Sequence, residues 1–118
     1  MELTTEELAD GVKRINLAGR MDTQGAQAID LKFTALTATE AAKVVVDFSQ
    51  VSFLASIGVR TLVMSARALA RRGGSMVLAS PQPLVEDVLR LGGIDMLIPV
   101  FADVQSACAS LAAAPGRA

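Results

Sequence analysis

The stretch VDFSQVSFLASIGVRTL, residues 46–62, joins two unlike patterns. Its first part continues the β-branched run Lys43-Val44-Val45-Val46-Asp47-Phe48. Such a run suits a strand buried on both faces. Its second part opens a helical periodicity. Val59, Leu62, Val63, Ala66, Leu69 and Ala70 mark one helical face, and Arg60, Met64, Arg67 and Arg71 mark another. Ser56-Ile57-Gly58 stands at the joint. Two roles fit Ser56 there. Serine is a favoured helix cap, and a serine at an exposed strand end is also open to modification. Gly58 suits close packing or a permissive backbone at the turn.

Outward from this joint, helix and strand alternate. Upstream, LTTEEL (residues 3–8) fits either a short helix or an edge strand with Leu3 and Thr5 on one side. Asp10-Gly11 signals a turn, and Val12, Ile15 and Leu17 mark a strand ending at Ala18-Gly19. Asp22 or Thr23 caps a helix carrying Ala26, Ile29, Phe33 and Leu36, with Asp30 and Lys32 off that face. Downstream, Gly73-Gly74 stops the helix just after Arg71 and Arg72, where the dipole favours cations. Ser75–Ala79 is a short strand. Pro81 and Pro83 start a helix with Leu84, Val88 and Leu91 as its apolar members, ended by Gly92-Gly93. Leu97–Phe101 contains Pro99 and belongs at a sheet edge. Asp103 caps a last helix with Val104, Cys108 and Leu111 on one face, Cys108 as inert core. Asp47 is structural, at the end of a buried strand.

This order predicts an α/β fold: one domain over residues 1–113, a mixed four- to five-stranded sheet with about four helices. Residues 114–118 form a frayed tail.

Bulk composition narrows the function. The chain has 118 residues, 52% of them hydrophobic, which suffices for one core. Four Phe and no Trp or Tyr argue against a base-stacking surface, and a net charge of −1 supplies no field for nucleic acid. No apolar run approaches the roughly 20 residues of a membrane span. The acidic MELTTEELAD start is unlike a secretory signal. A single cysteine suits a reducing compartment, so a cytoplasmic protein is expected. Histidine is absent, which removes Ser-His-Asp and Cys-His catalysis and most zinc sites. Neither GxxxxGK[ST] nor GxGxxG occurs. No enzyme, cofactor or metal is therefore expected.

The motif Val51-x-Phe53-Leu54-x-Ser56-x-Gly58-Val59-x-x-Leu62, preceded by Val46-Asp47-Phe48-Ser49, resembles the signature of STAS domains, the sulfate transporter and anti-sigma factor antagonist domains. Gly19-Arg20-Met21-Asp22, Arg72-Gly73-Gly74, Pro83-x-Val85 and Leu89-x-x-x-Gly93-Ile94 match as well, so the resemblance runs from about Gly11 to Leu111. It implies a mixed sheet with helices mainly on one side and the motif loop exposed at the end of a central strand. Free-standing members of this size are mostly anti-sigma factor antagonists. These bind a serine-kinase anti-sigma factor, of the GHKL type, and release its sigma factor. Phosphorylation of the motif serine ends the binding, and a phosphatase resets it. Ser56 aligns with that serine. Ala55 stands where the family usually has an acid, and Ile57 where it has Ser or Ala. The resemblance places Asp22, Ala55, Ile57, Gly58, Arg60 and Met64 at the partner surface. A second reading is a non-phosphorylated subunit of a lipid or anion transporter complex. Some members bind nucleotides, but nothing here resembles a phosphate cradle. Low net charge and aliphatic composition leave a homodimer open.

Overall fold

The computed structural model describes residues 1–38 and 42–113; the expected tail at 114–118 lies outside them. Five strands form one sheet in the order of the chain: β1 (Glu2–Glu7), β2 (Val12–Met21), β3 (Lys43–Leu54), β4 (Ser75–Ala79) and β5 (Val100–Phe101). β1 pairs antiparallel with β2, and the other pairings are parallel. Helices α1 (Thr23–Ala38), α2 (Ser56–Arg71), α3 (Pro83–Leu91) and α4 (Val104–Ala113) connect and close it.

The valine run of β3 explains the layering. Side chains alternate across a strand, so Val44, Val46 and Phe48 face one way and Val45 the other. The first set packs with Ile15, Leu17, Met76 and Leu78 beneath α1, α2 and α3. Val45 packs with Val12, Val77 and Ala79 beneath α4, through Ala107 and Leu111. Three helices therefore cover one face and one helix part of the other. A fully buried Val, Leu, Ile or Phe contributes roughly 1.5–3 kcal/mol, so the two-sided burial of β3 is a large share of the fold.

Several expectations hold. Ala26, Ile29 and Phe33 are the buried face of α1, and Asp30 and Lys32 are exposed. Leu62 and Leu69 are buried in α2, while Arg60, Met64, Arg67 and Arg71 are exposed. Asp103 caps α4, its Oδ1 accepting from the Ser106 N–H at 2.6 Å. Of the two readings of LTTEEL, the structure has the edge strand, with Leu3 buried.

Others are corrected. β2 and β3 extend to Met21 and Leu54, beyond Gly19 and Phe48, because register shifts at Asn16/Ala18 and Gly19/Arg20 let the pairing continue. Gly19 takes φ +115° there. Ala70 is exposed rather than part of the α2 core face. β5 begins only at Val100, after a 3₁₀ turn at Ile94–Met96. It remains at the edge, as expected of a strand beside Pro99. The face of α3 is the largest departure. Val85 and Leu89 are buried, and Leu84, Val88 and Leu91 are exposed. Both stripes are apolar, so spacing could not choose between them. The short Ser80–Gln82 connection chooses, with the Gln82 Nε2 donating to the Ser49 carbonyl at 2.9 Å.

α4 leaves part of its sheet face open, and a polar network fills it. Arg14 Nη2 lies 2.6 Å from Asp47 Oδ2, and Arg14 Nε donates to Asn16 Oδ1 at 2.8 Å. Asn16 Nδ2 donates in turn to Glu6 Oε1 at 3.0 Å. The Ser49 N–H donates to Asp47 Oδ1 at 2.9 Å. Asp47 is thus structural, as expected, tying β2 to β3 where the strands shift register. Burial pushes its carboxyl up, but the Ser49 N–H and the Arg14 guanidinium outweigh burial and hold it below its ordinary value. Arg14→Ala strips this buried carboxylate of its cation, and urea unfolding is expected to show a loss of roughly 1–3 kcal/mol. A carboxyl held low contributes stability above its unfolded pKa of about 3.9 and loses it as pH falls through the folded value. Without histidine, stability is expected to be flat from about pH 5 to 8 and to decline below about pH 4, more shallowly in Asp47→Asn.

Candidate partner-binding surface at the strand ends

β2 and β3 end side by side, with Met21 paired to Leu54. The Ala55 N–H then donates to the Met21 carbonyl at 2.9 Å, so the two strand-to-helix joints are pinned together. α1 and α2 both begin at this end of the sheet, each with N–H groups that have no intrahelical acceptor.

Asp22 is the cap of α1. Its Oδ1 accepts from the Gly25 N–H at 2.8 Å, and its carbonyl accepts from Ala26 at 2.8 Å. The Gly25 N–H holds the Asp22 carboxyl below its ordinary value, assisted by Arg20, whose Nε is 3.6 Å away. Arg20 also lies over the Phe53 ring, 4.4 Å from its centroid, and Phe53 is 40% exposed. The sequence reading missed Arg20 and Phe53 as members of this surface. They are cross-strand neighbours only through the register shift at Gly19/Arg20, which alternation in the sequence does not reveal.

At the second joint Ser56 does not take the capping role that was one of its two readings. Ala55 is the N-cap of α2, with extended backbone (φ −94°, ψ 167°) and no side-chain capping bond. Its carbonyl accepts from the Gly58 and Val59 N–H groups at 2.9 and 3.1 Å. Ser56 is the first helical residue and is exposed. Its hydroxyl is therefore not committed to holding the helix start. Ile57 is half-buried against the main core. Gly58 is buried, and a Cβ there would lie 2.8 Å from Met21 Cγ and 2.9 Å from Leu54 Cδ1. The missing side chain lets α2 descend onto the ends of both strands.

Arg60 and Met64 follow along α2, both exposed. With Ile57 and Thr61 they face Ala26, Asp30 and Thr34 of α1 across a groove of about 530 Å³. The Thr61 hydroxyl bridges this groove toward Asp30 at 3.5 Å. The structure therefore gathers Asp22, Ala55, Ser56, Ile57 and Gly58 at the strand ends. Arg60 and Met64 run from there along one helix. Among the described residues, no group of three or more His, Cys, Asp or Glu side chains could hold a metal ion.

Two stability measurements check this geometry. Ala55→Asp supplies the missing cap and is expected to stabilise the chain by about 1 kcal/mol, whereas Ser56→Ala changes stability by less than about 0.5 kcal/mol. Gly58→Ala is expected to cost roughly 1–3 kcal/mol in urea unfolding, because overpacking against buried Met21 and Leu54 exceeds the helix-propensity gain of up to about 1 kcal/mol.

Comparison with known proteins places this geometry. The profile of the STAS domain matches residues 5–107. The Bordetella bronchiseptica protein BtrV, which carries the name anti-sigma factor antagonist, is 26% identical over 117 residues, covering 99% of this chain and 100% of that one. The crystal structure of an anti-sigma factor antagonist from Mycobacterium paratuberculosis superposes with a TM-score of 0.81 at 26% identity, over 93% of this chain and 94% of that one. SpoIIAA shares the fold in both of its forms. The unphosphorylated form gives a TM-score of 0.78 at 22% identity, over 97% of this chain and 99% of that one. The phosphorylated form, from Bacillus, gives 0.66 at 21%, over 92% and 98%. Among the described residues no helix is long and apolar enough to cross a membrane. With the profile spanning both joints and nearly the whole sheet, the chain belongs to the STAS domain family.

Proposed function

We propose that this chain is a cytoplasmic anti-sigma factor antagonist and a binding protein rather than an enzyme. Its unmodified form docks on a serine-kinase anti-sigma factor of the GHKL type, using Asp22, Ala55, Ile57, Gly58, Arg60 and Met64. The kinase phosphorylates Ser56 and the complex separates; a serine phosphatase restores the binding form.

The observation that carries this reading is the position of Ser56. It is the exposed first residue of α2, and Ala55 takes the capping position. A phosphate there adds roughly −1.5 to −2 charges at a helix N-terminus that tolerates anions. The fold need not change. A partner surface packed on the joint meets new charge and bulk, and a loss of ~3 kcal/mol weakens binding more than about a hundredfold. BtrV and the mycobacterial structure bear the same functional name, and SpoIIAA exists in a phosphorylated form.

The test is binding of Ser56 variants to the kinase recovered with tagged chain from its own cells. Ser56→Ala is expected to bind like the parent and to resist modification with ATP. Ser56→Glu is expected to bind about a hundredfold more weakly. Equal binding by both variants, with recovery of a transporter ATPase in place of a kinase, would establish the transporter-subunit reading.

A further inference from the structure

Five of the eight exposed large apolar side chains among the described residues lie on α3 and the turn that follows it. Leu84 is 74% exposed, Val88 39%, Leu91 84%, Met96 87% and Leu97 56%. Together they expose on the order of 600 Å² of apolar surface, at the upper end for a typical monomer. We propose that this face is where a second copy of the chain docks, through an antiparallel pairing of α3 with its counterpart.

Area, the spacing of the stripe and the sheet edges favour this occupant. That area falls below the roughly 800 Å² per partner of a standard interface, which suits a weak, concentration-dependent pairing. Leu84, Val88 and Leu91 are spaced four and three residues apart, the repeat of a two-helix seam. A two-fold axis passing near Val88 sets Leu84 of one copy against Leu91 of the other. Beside the stripe Arg90 Nη2 is joined to Asp87 Oδ1 at 2.6 Å within the chain, and Glu86 and Asp95 are exposed. A net charge of −1 scarcely opposes self-association. Pairing through strands is blocked at both edges. β1 carries the exposed Glu2, Glu6 and Glu7, and β5 has only two residues beside Pro99. Leu31 on α1 is also 84% exposed but stands outside this cluster, which makes it the control.

Sedimentation equilibrium of the full chain from about 1 µM to about 500 µM tests the face. The expected mass rises from one chain to two. Leu91→Glu is expected to raise the dissociation constant at least about tenfold, and Leu31→Glu to leave it unchanged. In a Cys108→Ser background, Val88→Cys is expected to crosslink on oxidation and Leu31→Cys is not, since a disulfide needs Cβ atoms within about 4.5 Å. The mass of one chain at every concentration overturns the proposal. So does an equal response to the two glutamate substitutions.

Discussion

The hydrogen bond from the Ala55 N–H to the Met21 carbonyl ties the two joints of the chain that matter most. It extends the β2–β3 pairing to its last residues and fixes the start of α2 against the start of α1. The packing beneath it depends on Gly58. Met21 and Leu54 fill the space a side chain would take, so α2 sits close enough for Ala55 to reach Met21. Gly25 does the same for α1, where a Cβ would collide with the Arg20 carbonyl oxygen. Two glycines thus hold two helix N-termini on two adjacent strand ends.

This arrangement leaves Ser56 out of the helix cap. Had Ser56 been the cap, modifying it would have disturbed the helix start. The cap position instead falls to Ala55, whose backbone carbonyl alone closes the first turn. The cost is an N-terminus with no side-chain cap; the benefit is a hydroxyl exposed on a rigid platform. Rigidity comes from the opposite face of the sheet as well. Asp47 locks β2 to β3 through Arg14 and holds the Ser49 N–H, so the register shift upstream of the joint is fixed by charge and hydrogen bonds.

How much of this was legible depended on whether local pattern or long-range register decided it. The valine run at 44–46 announced a strand covered on both sides, and the glycine pairs 73–74 and 92–93 announced helix ends. Those are local properties, and they agree with the structure. The α3 face was not local. Leu84-Val88-Leu91 and Val85-Leu89 are equally apolar, and the choice rests on where a three-residue connection and Gln82 set the helix. The Arg20–Phe53 stack was hidden because the register shift brings those residues together. Ser56 itself stood out in the sequence, but whether it or Ala55 was the cap turned on one residue of helix phase, finer than periodicity resolves.

Ser56, free of the capping role, is the residue proposed to carry the modification. The most direct measurement is phosphosite mapping by mass spectrometry on the chain recovered from its own cells, during growth and under stress. Phosphate on Ser56 is expected, with an occupancy that differs between the two conditions. Complete absence of phosphate at Ser56 in both conditions, with the partner still bound in both, would contradict that proposal.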